Sequence, residues 1–183
     1  MPVITSKVEN SLTKIVEDIN YIAFFSNNAR STDSDTIGSK HELFRKAVTP
    51  TVSGNQATMS YSFDSADSCP FSAIDTVTST SILVLEDASD FEIGDRVQIE
   101  KTGNFQKREI TDKDVNEITL DSPLPYTPTA GTVVRILVTQ RAIIESGNSG
   151  ANSGTIFQIE DWEYSKLQGV VENGNIKINL GAN

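Results

Sequence analysis

Apolar positions near the start of the chain follow a helical period. Val8, Leu12, Ile15, Ile19 and Ile22 recur at spacings of four, three, four and three, which places them on one face of a 3.6-residue repeat. Ser6 and Glu9 have the spacing of a capping box, in which each side chain satisfies a free backbone N–H of the first turn. The pattern predicts an amphipathic helix from about Thr5 to about Phe25, with Lys7, Glu9, Lys14, Glu17 and Asp18 on its wet side. The end of that segment, Tyr21 to Phe25, is apolar all round. Two readings compete there: packing on the body of the same subunit, or docking on a neighbour with Phe24 and Phe25 as anchors. On the second reading Leu12, Ile15, Ile19, Ile22, Phe24 and Phe25 are contact residues of an oligomerisation arm.

Beyond a polar stretch, 26–39, the period shifts to two. Ala57, Met59, Tyr61 and Phe63 alternate with Thr58, Ser60 and Ser62, the signature of a half-buried strand. With Ser53-Gly54-Asn55 as the turn, residues 41–63 read as a hairpin, Pro50 lying at an edge or bulge. Residues 64–75 read as a loop, with Cys69 before Pro70 favouring an extended or turn conformation. From Thr76 short strands follow at even intervals: "SILVLED", "RVQIEK", "QKREITDKDV", "EITLDS" and "VVRILVTQRAII". Such spacing predicts a small barrel or sandwich and not a parallel α/β sheet. The glycine-rich segment 145–155 reads as an extended connector. In the last segment Asn173-Gly174 marks a tight turn, and Ile176, Ile178 and Leu180 alternate, predicting a terminal hairpin.

The expected class is therefore mainly β: a small antiparallel β-barrel or sandwich module with one N-terminal amphipathic α-helix. The expected organisation is a helix in 1–30, a central barrel-like module in 76–145, and β-hairpins in 31–75 and 150–183 that join in one sheet, leaving the central module as an insertion. Ile176 and Ile178 in the terminal hairpin, and the glycine-rich arm, join the helix as candidate partner contacts, because an extended segment can add a strand to a neighbour's sheet.

The central span 82–136 carries the most specific pattern. A strand leads to an Ala/Ser turn, then Phe91, two residues, Gly94-Asp95, an alternating strand with Val97 and Ile99, Gly103, Glu109, the run Ile118 to Leu124, and a closing Ala130-Gly131-Thr132 with Val133. This resembles a β-module that recurs in structural proteins of tailed bacteriophages, in tail, neck, baseplate and capsid-surface proteins. The resemblance covers a little under a third of the chain and implies a fold without catalytic residues. Physical needs account for the same residues. Phe91 fills a small core, Gly94 takes a positive φ, Asp95 bonds backbone N–H groups of its turn, and Gly131 serves the last corner. Val97 and Ile99 point inward and Arg96 and Gln98 outward, while Leu120, Leu124, Val134 and Ile136 complete the apolar set.

Charge and candidate chemistry narrow the function. The formal net charge is −10 over 183 residues, a sign that repels phosphates and disfavours direct binding to nucleic acid or to anionic membrane. The longest apolar runs fall well short of the ~20 residues that span a bilayer, and the N-terminus lacks a signal-peptide pattern, so synthesis in a bacterial host cytoplasm is expected. One cysteine, Cys69, and one histidine, His41, leave room for neither an internal disulfide nor a cysteine-based zinc cluster. No Gly-x-Ser-x-Gly elbow accompanies His41, and nothing basic flanks Cys69 to favour a thiolate. Glu160, Asp161 and Glu163 surround Trp162, and Asp112 stands near Asp114; on so acidic a chain these read as solvated carboxylates before they read as a glycosidase pair. "DSDTIG" begins like a calcium loop but places Ile37 and Phe44 where the EF-hand needs oxygen ligands. The glycine-rich segment precedes no helix, so it is no phosphate cradle.

The expectation is thus a non-enzymatic virion component with no cofactor and no metal. Its partners would be other copies of itself and neighbouring virion proteins, most naturally as a neck or tail protein (connector, collar or tail-completion) in a symmetric oligomer. A capsid-surface decoration protein is the nearest alternative. A carbohydrate-binding domain of a tail tip is another, with Trp162 and Tyr164 stacking from one strand face.

Overall fold

The computed structural model describes residues 2–26, 41–63, 67–101, 104–145, 154–164 and 172–179. Among the described residues, one helix, α1 (Pro2–Val16), precedes thirteen strands: β1 (Ile19–Phe25), β2 (Glu42–Ala47), β3 (Thr51–Ser53), β4 (Gln56–Phe63), β5 (Phe71–Val77), β6 (Ile82–Leu85), β7 (Arg96–Lys101), β8 (Asn104–Asp114), β9 (Glu117–Leu120), β10 (Val133–Ile136), β11 (Val138–Glu145), β12 (Ile156–Tyr164) and β13 (Glu172–Asn179). The chain is mainly β, as its patterning predicts. The strands form a closed barrel in the order β10-β5-β6-β9-β8-β7, a four-stranded sheet in the order β12-β11-β1-β2, and a three-stranded sheet in the order β13-β4-β3.

The barrel is antiparallel at every pairing. Its interior holds Ile74, Leu83, Leu85, Val97, Ile99, Ile110, Ile118, Leu120, Val134 and Ile136, with Ala88, Phe91 and Leu124 packed among them. The alternation of Val97 and Ile99 with outward Arg96 and Gln98 is as the period-two pattern requires. Gly94 and Gly131 both adopt positive φ, 93° and 81°, where a Cβ would be strained. The barrel takes in one strand that the sequence pattern hides: Phe71–Val77, read as part of a loop, is β5. The apparent single strand "VVRILVTQRAII" is two. β10 ends in the barrel and β11 begins in the neighbouring sheet, with the Leu137 N–H between them donating to the Arg96 carbonyl at 2.8 Å.

The predicted helix is shorter than its period suggests. It ends at Val16, and residues 19–25 run as β1, the interior strand between β11 and β2. Ile19, Ile22, Ala23, Phe24 and Phe25 are all buried, so β1 is covered on both faces. A strand buried on both faces is a continuous apolar run, and periodicity alone does not separate that from a buried helix end. Its aromatic and β-branched content favours the strand.

The two sheets sandwich a second core. Leu12 and Val16 of α1, Ile22 and Phe24 of β1, Ala57, Met59, Tyr61 and Phe63 of β4, Ile143 of β11, and Ile176 and Ile178 of β13 belong to it. α1 lies against β3 and β4. The helix begins at Pro2, ahead of the Ser6–Glu9 pair, and Glu9 Oε1 accepts from the Gly54 N–H at 2.6 Å, which ties α1 to the β3–β4 turn, where Gly54 has φ 61°.

The hairpin expected over 41–63 is confined to β3 and β4, because β2 joins β1 in the other sheet. The terminal hairpin is replaced by a single strand. β13 runs straight through Asn173-Gly174 and pairs with β4 from Glu172↔Phe63 to Asn179↔Gln56. Gly174 lies opposite Tyr61, and a Cβ there would fall 2.4 Å from the Tyr61 ring. This glycine lets an aromatic ring cross the neighbouring strand and makes no turn. The C-terminal strand does complete the sheet begun by β4, with the barrel intervening in sequence.

Candidate functional site

The residues singled out as partner contacts sit mostly inside the molecule. Leu12, Ile19, Ile22, Phe24 and Phe25 are at most 1% exposed, and Ile176 and Ile178 face the sandwich core. Their burial is that of packing on their own subunit. Ile15, at 41% exposed, is the one member of the set with side chain left for a neighbour. The glycine-rich arm at 147–153 and the calcium-like segment 33–38 lie outside the residues whose placement is described.

The motif residues converge on one junction. Asp95, fully buried, follows Gly94 in the turn before β7. Its Oδ2 accepts from the Glu92 N–H at 2.8 Å. The turn is fixed to β8 by Gly94 N–H to the Ile110 carbonyl, 2.8 Å, and Ile110 N–H to the Asp95 carbonyl, 2.9 Å. The same carboxylate faces His41, just before β2, whose Nδ1 lies 2.8 and 3.0 Å from the two carboxylate oxygens. Asp95 therefore does more than close a turn: it joins the barrel to the β1–β2–β11–β12 sheet. Burial pushes the His41 pKa down, but the hydrogen bond to Asp95 and the negative charges of Asp95, Glu92 and Asp90 outweigh it, leaving the pKa raised. The pair thus favours an imidazolium–carboxylate clasp. Leu43, two residues on, packs against both the sandwich core and the barrel core. A 54-residue separation hid this partnership. The usable signal was that a lone histidine at a strand start and a motif aspartate both needed partners.

A second cluster surrounds β11 and β12. Trp162 and Tyr164 share a strand face and stack, with ring centroids 5.1 Å apart and planes 17° from parallel. Trp162 also packs on Phe24 at 5.5 Å, and the Arg141 guanidinium lies 5.1 Å over its ring. Arg141 in turn donates from Nη1 to the Tyr61 hydroxyl at 2.7 Å and pairs with Glu160. Gln140 Nε2 donates to Asp161 at 3.0 Å, and Glu163 pairs with Lys107 of the barrel. The carboxylates around Trp162 are each engaged by a neighbour, and the indole is packed by aromatic rings and a guanidinium. This is the chemistry of a braced sheet edge more than of a sugar platform.

Cys69 is buried in the sandwich core. Among the described residues, no group of three His, Cys, Asp or Glu side chains is placed to hold a metal ion, and no helix is long and apolar enough to cross a membrane. A shallow open groove beside the β4–β13 pair is lined by Ser60, Ser62, Asn173 and Asn175, with Tyr61, Gly174 and Ala47. It shares no residue with the His41–Asp95 junction. Comparison of the chain with models of protein families, with curated proteins and with solved structures gives no match.

Proposed function

We propose that the protein is a non-enzymatic structural subunit of a tailed-phage virion. It works by assembling into a symmetric oligomer at the neck or tail, as a connector, collar or tail-completion protein. The observation that carries this reading is the use made of the phage-like pattern. Phe91 is a core residue, Gly94 and Gly131 take turn conformations, and Asp95 is spent on the Glu92 N–H and on His41. Residues consumed in this way by packing and anchoring are those of a building unit, and function then resides in surfaces and not in a catalytic pocket. The high negative charge suits a subunit held soluble at high local concentration before it assembles.

The test is the architecture of the purified protein by electron microscopy, alone and with infected-cell particles. Closed rings, and labelling at the vertex or tail, support the reading. Small oligomers dispersed over the shell would transfer the role to capsid-surface decoration. A protein that enters no larger assembly under either condition removes the virion reading altogether.

A further inference from the structure

The outer wall of the barrel carries a patch of mixed aromatic and charged side chains. On β5, β10, β7 and β8 the residues facing away from the core fall into two rows. In the first, Phe71 pairs with Arg135, Arg135 with Gln98, and Gln98 with Lys107. In the second, Ala73 pairs with Val133 and Glu100 with Phe105, and the register that sets Val134 against Ile99 brings Val133 beside Glu100. Two phenyl rings at the ends of this patch are open to solvent, Phe71 at 49% and Phe105 at 59%.

Between them lies a cation with two unsatisfied donors. The Arg135 side chain is 7% exposed, yet its Nε and Nη1 have no hydrogen-bond partner. Glu100 is the nearest carboxylate, with Oε1 3.6 Å from Nε, which is beyond hydrogen-bond reach. The Phe71 ring lies over the guanidinium, its centroid 4.8 Å from Cζ. That ring is itself half exposed, so the guanidinium lies directly behind a solvent-facing aromatic side chain. An arginine with spare donors between solvent-facing aromatic rings has the make-up of an interface centre.

The chemistry selects the occupant. A guanidinium with free donors calls for a carboxylate, and the same patch presents one in Glu100, 27% exposed. A surface holding both a cation and its complement can meet itself: across a two-fold axis, Arg135 of each copy faces Glu100 of the other, so one pairing is made twice. We infer that the barrel wall formed by Phe71, Arg135, Glu100 and Phe105 is a self-association surface on which a second copy of this chain docks. The inference rests on the self-assembly in the reading above, though not on the virion setting.

Sedimentation velocity over a concentration series tests it, using wild type, Glu100→Arg, Arg135→Glu, the double swap and Phe105→Asp, each checked for an intact fold by thermal melting. The expected result is concentration-dependent association of the wild type, weakened at least ~30-fold by either charge reversal and by Phe105→Asp, and restored by the double swap. Should Arg135→Glu fail to fold, Glu100→Arg and the exposed Phe105→Asp still decide the matter. A wild type that associates equally well in every folded variant overturns this surface and leaves the assembly reading standing. A wild type that is monomeric at every concentration also overturns this surface, and the assembly reading falls with it only if the protein joins no larger assembly in infected-cell particles either.

Discussion

Replacing Asp95 by asparagine keeps the size and shape of the side chain and removes its charge. The carboxylate is fully buried, accepts from the Glu92 N–H at 2.8 Å and lies 2.8 and 3.0 Å from His41 Nδ1. An Asn carbonyl still accepts from Glu92, so the loss falls on the link to His41. Hydrogen bonds to charged groups contribute about 1.5–3 kcal/mol, and the 14% exposure of the His41 side chain favours the middle of that range, about 2 kcal/mol. The sign with pH follows from the raised His41 pKa. The clasp's contribution is fully present below the unfolded value of about 6.5 and is lost as pH rises through the folded one. Chemical denaturation of wild type and Asp95→Asn between about pH 5 and about pH 9 should show the larger difference at the acid end. The chain's single histidine makes the companion measurement clean. One imidazole resonance titrates, above its ordinary pKa in the wild type and lower in Asp95→Asn, where burial is opposed by Glu92 and Asp90 alone. A wild-type His41 titrating at or below the ordinary value, or a mutational cost independent of pH, would refute the reasoning.

Three other outcomes are expected. Gly174→Ala should destabilise by roughly 1–3 kcal/mol in denaturant melts, because its Cβ meets a Tyr61 ring pinned by Arg141. Val115→Asn should stabilise by about 1 kcal/mol, since Val115 holds φ 44° while 80% exposed and has little packing to lose; an unchanged melting temperature would count against strain in the β8–β9 turn. Phe91→Ala should cost about 3–5 kcal/mol through the barrel core, and a loss under about 1 kcal/mol would show that Phe91 does not hold that core together.

The barrel was largely legible in the sequence because its strands alternate and its turns carry Gly94 and Gly131, where backbone geometry demands glycine. The failures have local causes. β1 reads as helix because Ile19 and Ile22 continue the α1 period by coincidence and because a strand covered on both faces leaves no alternation to detect. β5 reads as loop because Pro70 adjoins it and its outward residue Phe71 breaks the polar-out rule. Gly174 reads as a turn until its partner across the strand is known, and that partner is more than a hundred residues away. The His41–Asp95 clasp and the Arg135 patch are likewise products of register between distant strands, which no local pattern encodes.

The position of the barrel within the chain bears on how the protein folds. Residues 71–136 form a contiguous unit whose first and last strands are paired, with Arg135 opposite Phe71. Once that unit closes, the end of β4 and the start of β11 are held close together. β1 can then find β11, and β4 can find β13, across a gap already bridged, so the effective loop is far shorter than the sequence separation. Loop-closure entropy grows with length and distant pairings slow folding, so early barrel formation would act as an internal staple for the sandwich. Destabilising the barrel should therefore slow assembly of sheets it does not belong to.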